Sequence, residues 1–309
     1  ITTVNGTLYA KGGSQGGDGG RIETSGGTLN YDSIEVSTIT STNDAGLWLI
    51  DPYNYFLTAA NLTTLDGNLD SNNITITTTG GTSGSFSASS YGSGYIVFED
   101  DFTYDGSGNR TLTLTADDQI YLQGINASGS GSLSLVLNAS GSNIFIDENI
   151  STNGGSFTST SDTIHFQKLD GNQSLSTSGG NINFGSANVW LGKSDNVNND
   201  FTISTGSGTF TSSGNYYLDN NTYSILAPVN HTAATLTNGD STFYSTGQNF
   251  GTLNAGDEYT LRLYSWDSWD NEVVTLRLGG TDIFEVTRTA NSDGTINTPQ
   301  HATVSNVTS

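Results

Sequence analysis

The chain has 309 residues, 39 of them glycine and none cysteine, with 30 acidic against 8 basic side chains and a formal charge of −22. That balance excludes disulfides, thiolate metal sites and a basic nucleic-acid footprint, and it disfavours anionic lipid. Glycine without a three-residue period excludes collagen, and recurrent β-branched and aromatic segments argue against simple disorder.

In chain order, the first expected strands are Thr7-Leu8-Tyr9-Ala10, Arg21-Ile22-Glu23-Thr24, Ile34-Glu35-Val36 and Leu47-Trp48-Leu49-Ile50, with a glycine-rich turn over residues 12–20. Gly16-Gly17-Asp18-Gly19-Gly20 is not a phosphate loop, because β-prone residues follow it where such a loop needs a helix and usually a lysine. Residues 61–70 read as a short helical or irregular excursion before the strand pattern resumes at Ile74-Thr75-Ile76-Thr77. No apolar stretch approaches the roughly 20 residues that span a bilayer. No secretion signal opens the chain, so Ile1 reads as the start of an excised fragment.

The central part carries two interleaved series of short apolar segments. One runs Leu112-Thr113-Leu114-Thr115, Leu133-Ser134-Leu135-Val136, Ser156-Phe157-Thr158-Ser159, Ser174-Leu175-Ser176-Thr177, Phe201-Thr202-Ile203-Ser204; the other runs Ile120-Tyr121-Leu122, Ile144-Phe145-Ile146, Ile164-His165-Phe166, Ile182-Asn183-Phe184, Tyr216-Tyr217-Leu218. Each segment is too short to stand alone. Coiling at a solenoid-like period of roughly 20 residues stacks equivalent segments about 4.8 Å apart and joins their inward residues into apolar ladders. A long antiparallel sandwich is the alternative for such short alternating strands, but two series of similar spacing favour a parallel β-helix.

After Pro228 the strands lengthen and carry outward charges, as in residues 258–264, 272–278 and 282–287. Gly279-Gly280-Thr281 fits a three-residue hairpin that sets Val274, Leu276 and Leu278 on one face with Phe284 and Val286. The expected fold is therefore all β: a parallel β-helix over 1–230, then a small antiparallel, sandwich-like module over 231–309.

Gly17-Asp18-Gly19-Gly20-Arg21-Ile22-Glu23-Thr24-Ser25-Gly26, followed by Ala45-Gly46-Leu47-Trp48-Leu49-Ile50-Asp51-Pro52-Tyr53, resembles filamentous-haemagglutinin-like adhesins, in which a glycine-rich turn, "ETSG" and "W-L-(L/I)-D-P" recur. The resemblance covers roughly residues 1–80, with the repeat texture extending to about 225. It implies a right-handed β-helix on the surface of a Gram-negative bacterium, commonly exported by two-partner secretion. In this reading Glu23 and Thr24 end one coil, Trp48, Leu49 and Ile50 form a bulky rung, and Asp51-Pro52 stops ladder pairing. Residues 266–272, Trp-Asp-Ser-Trp-Asp-Asn-Glu, look like a "D-S-W-D-(G/N)-E" element of extracellular β-sandwich modules, which implies recognition or spacing.

Chemistry is sparse. β-Helices also serve polysaccharide lyases and hydrolases, so Asp51, Glu99-Asp100-Asp101, Asp117-Asp118 and Asp147-Glu148 are the acid candidates, against a reading as solvated turn carboxylates. Arg110 is expected at the surface, paired with Asp105 or Asp101. His165, between Ile164 and Phe166, is expected to point outward, and with His231 and His301 it makes no recognisable metal spacing. Tyr53, Tyr55 and Phe56 are expected to seal an irregular coil, and Tyr91, Tyr95, Phe98, Phe102 and Tyr104 to cover a flank or offer rings to sugars. The one cofactor expectation is calcium (Ca²⁺) held by Asp267, Asp270 and Glu272, with Trp266 and Trp269 shaping an adjacent ligand surface; the alternative is a charged hairpin with packed tryptophans. The whole reads as a non-enzymatic, monomeric, extracellular adhesin or stalk segment that meets a glycan or a neighbouring surface component. A structural spacer or shield, or a polysaccharide-degrading enzyme, is the alternative.

Overall fold

The computed structural model describes residues 1–40, 44–78, 94–169, 171–191 and 201–214, and beyond them nine strands from Tyr216–Leu218 to His301–Val304. The strand ladders between Thr2 and Thr246 are parallel, and the two ladders after them are antiparallel. The chain is an all-β parallel solenoid followed by antiparallel strands, and among the described residues a single helix interrupts it at Ala59–Leu69.

Three ladders of strands form the solenoid faces. On the first, Ile22, Trp48, Ile74, Leu112, Leu135, Phe157, Ile182, Phe210 and Val229 stand in one register column. On the second, Tyr55, Ile96, Ile120, Ile144, Ile164, Val189, Tyr216 and Leu236 do the same. The third is a seven-stranded sheet whose column runs Phe102, Ile125, Ile150, Leu175, Ile203 and Ile225. Two long strands, Leu133–Ile146 and Phe157–Phe166, bend around a corner and belong to the first and second faces at once. Inward positions from all three columns merge into one apolar core, in which Trp48, Ile74, Leu112, Ile120, Ile144, Leu175 and Ile203 are fully buried. Each such side chain contributes about 1.5–3 kcal/mol of burial, offset by the entropy of ordering its coil.

The two sequence series resolve differently from expectation. Gln173–Ser176 and Phe201–Ser204 belong to the third face, and the first-face successors of Phe157 are Ile182 and Phe210. Ile182 in turn leaves the second series, where Val189 follows Ile164. Every face alternates apolar and polar residues, so the local pattern does not say which face a segment occupies.

Turns between the third and first faces repeat a motif. Thr152, Thr177 and Thr205 each donate from the side-chain hydroxyl to the carbonyl of Gly155, Gly180 and Gly208, at 2.5, 2.5 and 2.6 Å. After each threonine the chain turns left-handed, at Asn153 (φ 49°), Ser178 (φ 52°) and Gly206 (φ 62°). The closing glycines lie against the coil below: a Cβ on Gly180 would strike the Gly155 carbonyl, and one on Gly208 the Gly180 carbonyl. Asparagines staple coils in register. The side-chain oxygens of Asn73, Asn109, Asn149 and Asn181 accept the backbone N–H of Thr111, Ser132, Ser174 and Thr209 in the next coil, at 2.8–3.1 Å.

The excursion expected at 61–70 is an α-helix with a Thr58–Asn61 capping box and Leu62, Leu65 and Leu69 buried. It packs between the strands Leu29–Ser37 and Phe102–Tyr104, the latter the first strand of the third ladder. Asn68 and Asn72 stand in for the missing strand. Asn68 accepts the Val36 N–H and donates to the Ile34 carbonyl, while Asn72 accepts the Thr38 N–H and donates to the Val36 carbonyl. An amide side chain thereby offers the donor and acceptor of a peptide unit to a buried strand edge.

Four local expectations are corrected. Glu23 and Thr24 do not end a coil; they lie within the strand Arg21–Gly26, where buried Thr24 accepts the Trp48 indole N–H at 3.1 Å. Pairing does not stop before Asp51-Pro52, since both pair with Ser25 and Gly26 on one side and pairing ends at Ile50 only on the other. The expected module boundary at 230 falls within parallel ladders, which continue through Phe243–Thr246. In the C-terminal pair Val274 faces Val286 and Leu276 faces Phe284 as expected, but Leu278 pairs directly with Thr281, so Thr281 belongs to the strand and not to the turn.

Candidate functional site

The residues expected to bind calcium and ligand are not brought together in the described part of the chain. Trp266, Asp267, Trp269 and Asp270 lie outside the described residues, and Glu272 begins the strand Glu272–Leu278 opposite Arg288, its side chain also outside them. Among the described residues no group of three or more His, Asp or Glu side chains is placed to hold a metal ion. No helix among them is long and apolar enough to cross a membrane.

Four of the acid candidates, Asp101, Asp118, Asp147 and Glu148, stitch coils together. Asp101 accepts the Gly124 N–H at 2.7 Å, and Asp118 accepts from the Ser142 hydroxyl at 2.8 Å. Asp147 takes the side-chain amides of Gln167 at 2.8 Å and Gln123 at 3.5 Å, and Glu148 pairs with Lys168 at 2.6 Å. Asp51 is held above the usual carboxylate range, first by burial and then by the charge of Glu23. Arg110 is not at the surface. It alternates with Leu112 and Leu114 on the inward side, is 4 % exposed, and donates to the carbonyls of Leu69 and Asp70 at the end of the helix. That is a favourable place for a cation, since the last helical carbonyls lack partners and carry the negative end of the helix dipole.

Of the flank aromatics, Phe98, Phe102 and Tyr104 are core residues, as is Tyr55, while Tyr53, Phe56 and Tyr95 are half-buried and Tyr91 lies outside the described residues. The outward rings with a clear pattern are elsewhere. Tyr121, Phe145, His165 and Trp190 are successive register partners on the outer side of the second face. Their rings stack with centroids 4.6, 4.6 and 5.9 Å apart and planes within 17° of parallel, and Tyr95 extends the stack onto Tyr121 at 6.2 Å. Trp190 is the most open, at 43 % exposure. Burial lowers the pKa of His165, so its ring is neutral at neutral pH and joins the stack as an uncharged aromatic.

Strand alternation places polar columns on both sides of this spine. On one side stand Gln119, Asn143 and Thr163; on the other Gln123, Asp147 and Gln167, all half-buried. The Tyr121 hydroxyl donates to Gln119 Oε1 at 2.6 Å, and Asp147 fixes the two glutamines beside it. The outer side of the third face differs: it presents Asn126, Ser151, Ser174, Ser176, Thr202 and Ser204, with no aromatic ring. The signal for the spine was in the sequence, as an aromatic at the centre of Ile-Tyr-Leu, Ile-Phe-Ile, Ile-His-Phe and Val-Trp-Leu, once Val189-Trp190-Leu191 replaces residues 182–184 in the series.

The basic side chains described in full are each engaged: Lys11 lies 4.5 Å from the Tyr9 ring centroid, Arg21 meets Glu23 at 3.2 Å, Lys168 meets Glu148, and Arg110 is buried. The outer surface of the second face is thus an aromatic ribbon in an amide and carboxylate frame, on a rigid parallel scaffold. Comparison of the chain with protein-family models, curated proteins and solved structures finds no match.

Proposed function

We propose that this chain is a rigid segment of an extracellular bacterial surface protein, an adhesive stalk of the filamentous-haemagglutinin-like kind, with the second face as its contact surface. The observation that carries this reading is the outward spine Tyr121–Phe145–His165–Trp190: large rings are outward on this face, whereas the third face presents no aromatic ring over the same coils, only Asn126 and small hydroxyl residues. The N-terminal resemblance and the charge of −22 fit a secreted surface component. Non-enzymatic action is supported by the hydrogen bonds and ion pair that tie Asp101, Asp118, Asp147 and Glu148 to neighbouring coils. Calcium at Asp267, Asp270 and Glu272, with Trp266 and Trp269 beside it, belongs to the same proposal as a second recognition point; it rests on residue spacing alone.

Beads coated with the full chain test the reading. Adhesion to bacterial or host surfaces that is lost in Phe145→Asp, with the solenoid's circular dichroism retained, supports it. Adhesion indifferent to that change, or none, favours the second reading, a passive spacer. That reading draws on one specific observation: the rings of the spine cover one another's faces, as a purely structural stack would.

A further inference from the structure

We infer that the outer surface of the second face binds a neutral, extended β-linked polysaccharide lying along the solenoid axis, about one sugar residue per coil. The inference rests on the adhesive reading and names its ligand class. Three features converge on that class. The first is the repeat: successive coils present the same surface about 4.8 Å apart, comparable with the advance of one hexose in an extended β-linked chain. The ring spacings of 4.6 Å for Tyr121–Phe145 and Phe145–His165 follow that repeat.

The second feature is the order of groups across the face. A pyranose ring carries C–H groups on its faces and hydroxyls around its rim. The spine offers a continuous apolar ribbon of ring edges, because stacking within 17° of parallel covers the ring faces and leaves edges outward. The flanking amides supply donors and acceptors on both sides of that ribbon, about two residues away along each strand, or roughly 7 Å. Asp147 holds the side-chain amides of Gln123 and Gln167, so two of those flanking groups are ordered before any ligand arrives.

The third feature is charge. Uronate or sulfated chains need cations, and Lys168, just past the end of the strand Phe157–Phe166, is committed to Glu148 at 2.6 Å. A net charge of −22 repels polyanions from the whole surface. A neutral glycan is left as the ligand whose rim and faces both find partners.

Calorimetry on the full chain with tri- and hexasaccharides of β-1,4-linked glucose and of N-acetylglucosamine tests this, with polygalacturonate as the anionic comparison. Affinity for a hexasaccharide that exceeds the trisaccharide's is expected, since more coils are engaged. It should weaken roughly tenfold in Phe145→Leu, the worth of one aromatic contact. Gln167→Ala, which leaves the spine intact, should weaken it too, and Thr202→Ala on the third face should not. No heat from any hexasaccharide at millimolar concentration overturns the inference, as does binding that ignores both second-face variants or that prefers polygalacturonate. Should beads still adhere through Phe145 while no hexasaccharide binds, the ligand class is wrong and the adhesive reading stands.

Discussion

Two stretches of the solenoid solve the same problem in different ways. In the described strands between residues 110 and 214 coil is laid on coil, and the ladders pair backbone N–H and C=O groups with the strands above and below, side chains serving only the turns and strand ends. Between Leu29–Ser37 and Phe102–Tyr104 a helix takes the place of a strand, and the buried peptide groups of 34–38 that face it are met by the side chains of Asn68 and Asn72. The helix's own last carbonyls fall to Arg110. Stacked coils demand little of side-chain identity beyond alternation and small residues at the corners. The helix-bearing coil demands named residues at named positions, so the two stretches should break under different substitutions.

The largest effect belongs to the regular coils and their corner glycines. Gly180→Val should cost more than about 4 kcal/mol, or abolish folding, because its Cβ would strike the Gly155 carbonyl and backbone cannot yield as a side chain does. Urea denaturation followed by circular dichroism measures this. Gly27→Ala is the control: nothing lies within 4 Å of its Cβ, and a change within about 0.5 kcal/mol is expected. In the helix-bearing coil, Asn72→Leu should rank next. It strands the buried Val36 C=O, at about 1–3 kcal/mol, and leaves the Thr38 N–H only its 3.4 Å bond to the Ser71 carbonyl, whereas Thr113→Val on the outer first face should be near neutral. Equal losses from Asn72→Leu and Thr113→Val would break the comparison. Smaller and of opposite sign, Gly67→Ala should stabilise by about 1 kcal/mol, since Gly67 sits in the helix with open space at its Cβ; thermal unfolding reads it.

How much of this was legible turns on periodicity. The solenoid could be read because Ile-Tyr-Leu and Ile-Phe-Ile recur with the same inward pair, and stacking is the economical way to bury such short segments. The third face was not separated from the first, because Ser174-Leu175-Ser176 and Leu133-Ser134-Leu135 have the same alternation and only register distinguishes them. The charge of Arg110 points to the surface, but Arg110 shares parity with Leu112 and Leu114, and alternation alone sends it inward. Thr24 was hidden for a different reason. A threonine in "ETSG" looks like turn chemistry until the Trp48 indole N–H is seen to need an acceptor. The outward spine was half legible: His165 was expected to point outward and does, but its neighbours in the stack come from other coils that only register brings together.

The smallest expected effect sharpens the comparison through pH. Asp66, in the last half of the helix, has its pKa raised from 3.8 to about 6, chiefly by burial, with the nearby charges of Asp105 and Asp70 adding to it and the Asp105 N–H, which donates to it at 3.2 Å, opposing. Tyr104 and Arg110 occupy the same neighbourhood. The folded-state value lies above the unfolded one, so between the two the folded chain binds more protons. Stability contributed here is present at low pH and is lost as pH rises through about 6. Asp66→Asn keeps an acceptor oxygen for the Asp105 N–H while removing the charge. Its melting temperature should exceed the parent's most above pH 6, with the gap closing towards pH 4. The stacked coils offer a control in Asp118→Asn, which likewise retains an acceptor oxygen, for the Ser142 hydroxyl. A gap for Asp66→Asn that is flat across pH 4–8 would show that the helix-bearing coil tolerates the ionised carboxylate as easily as water does.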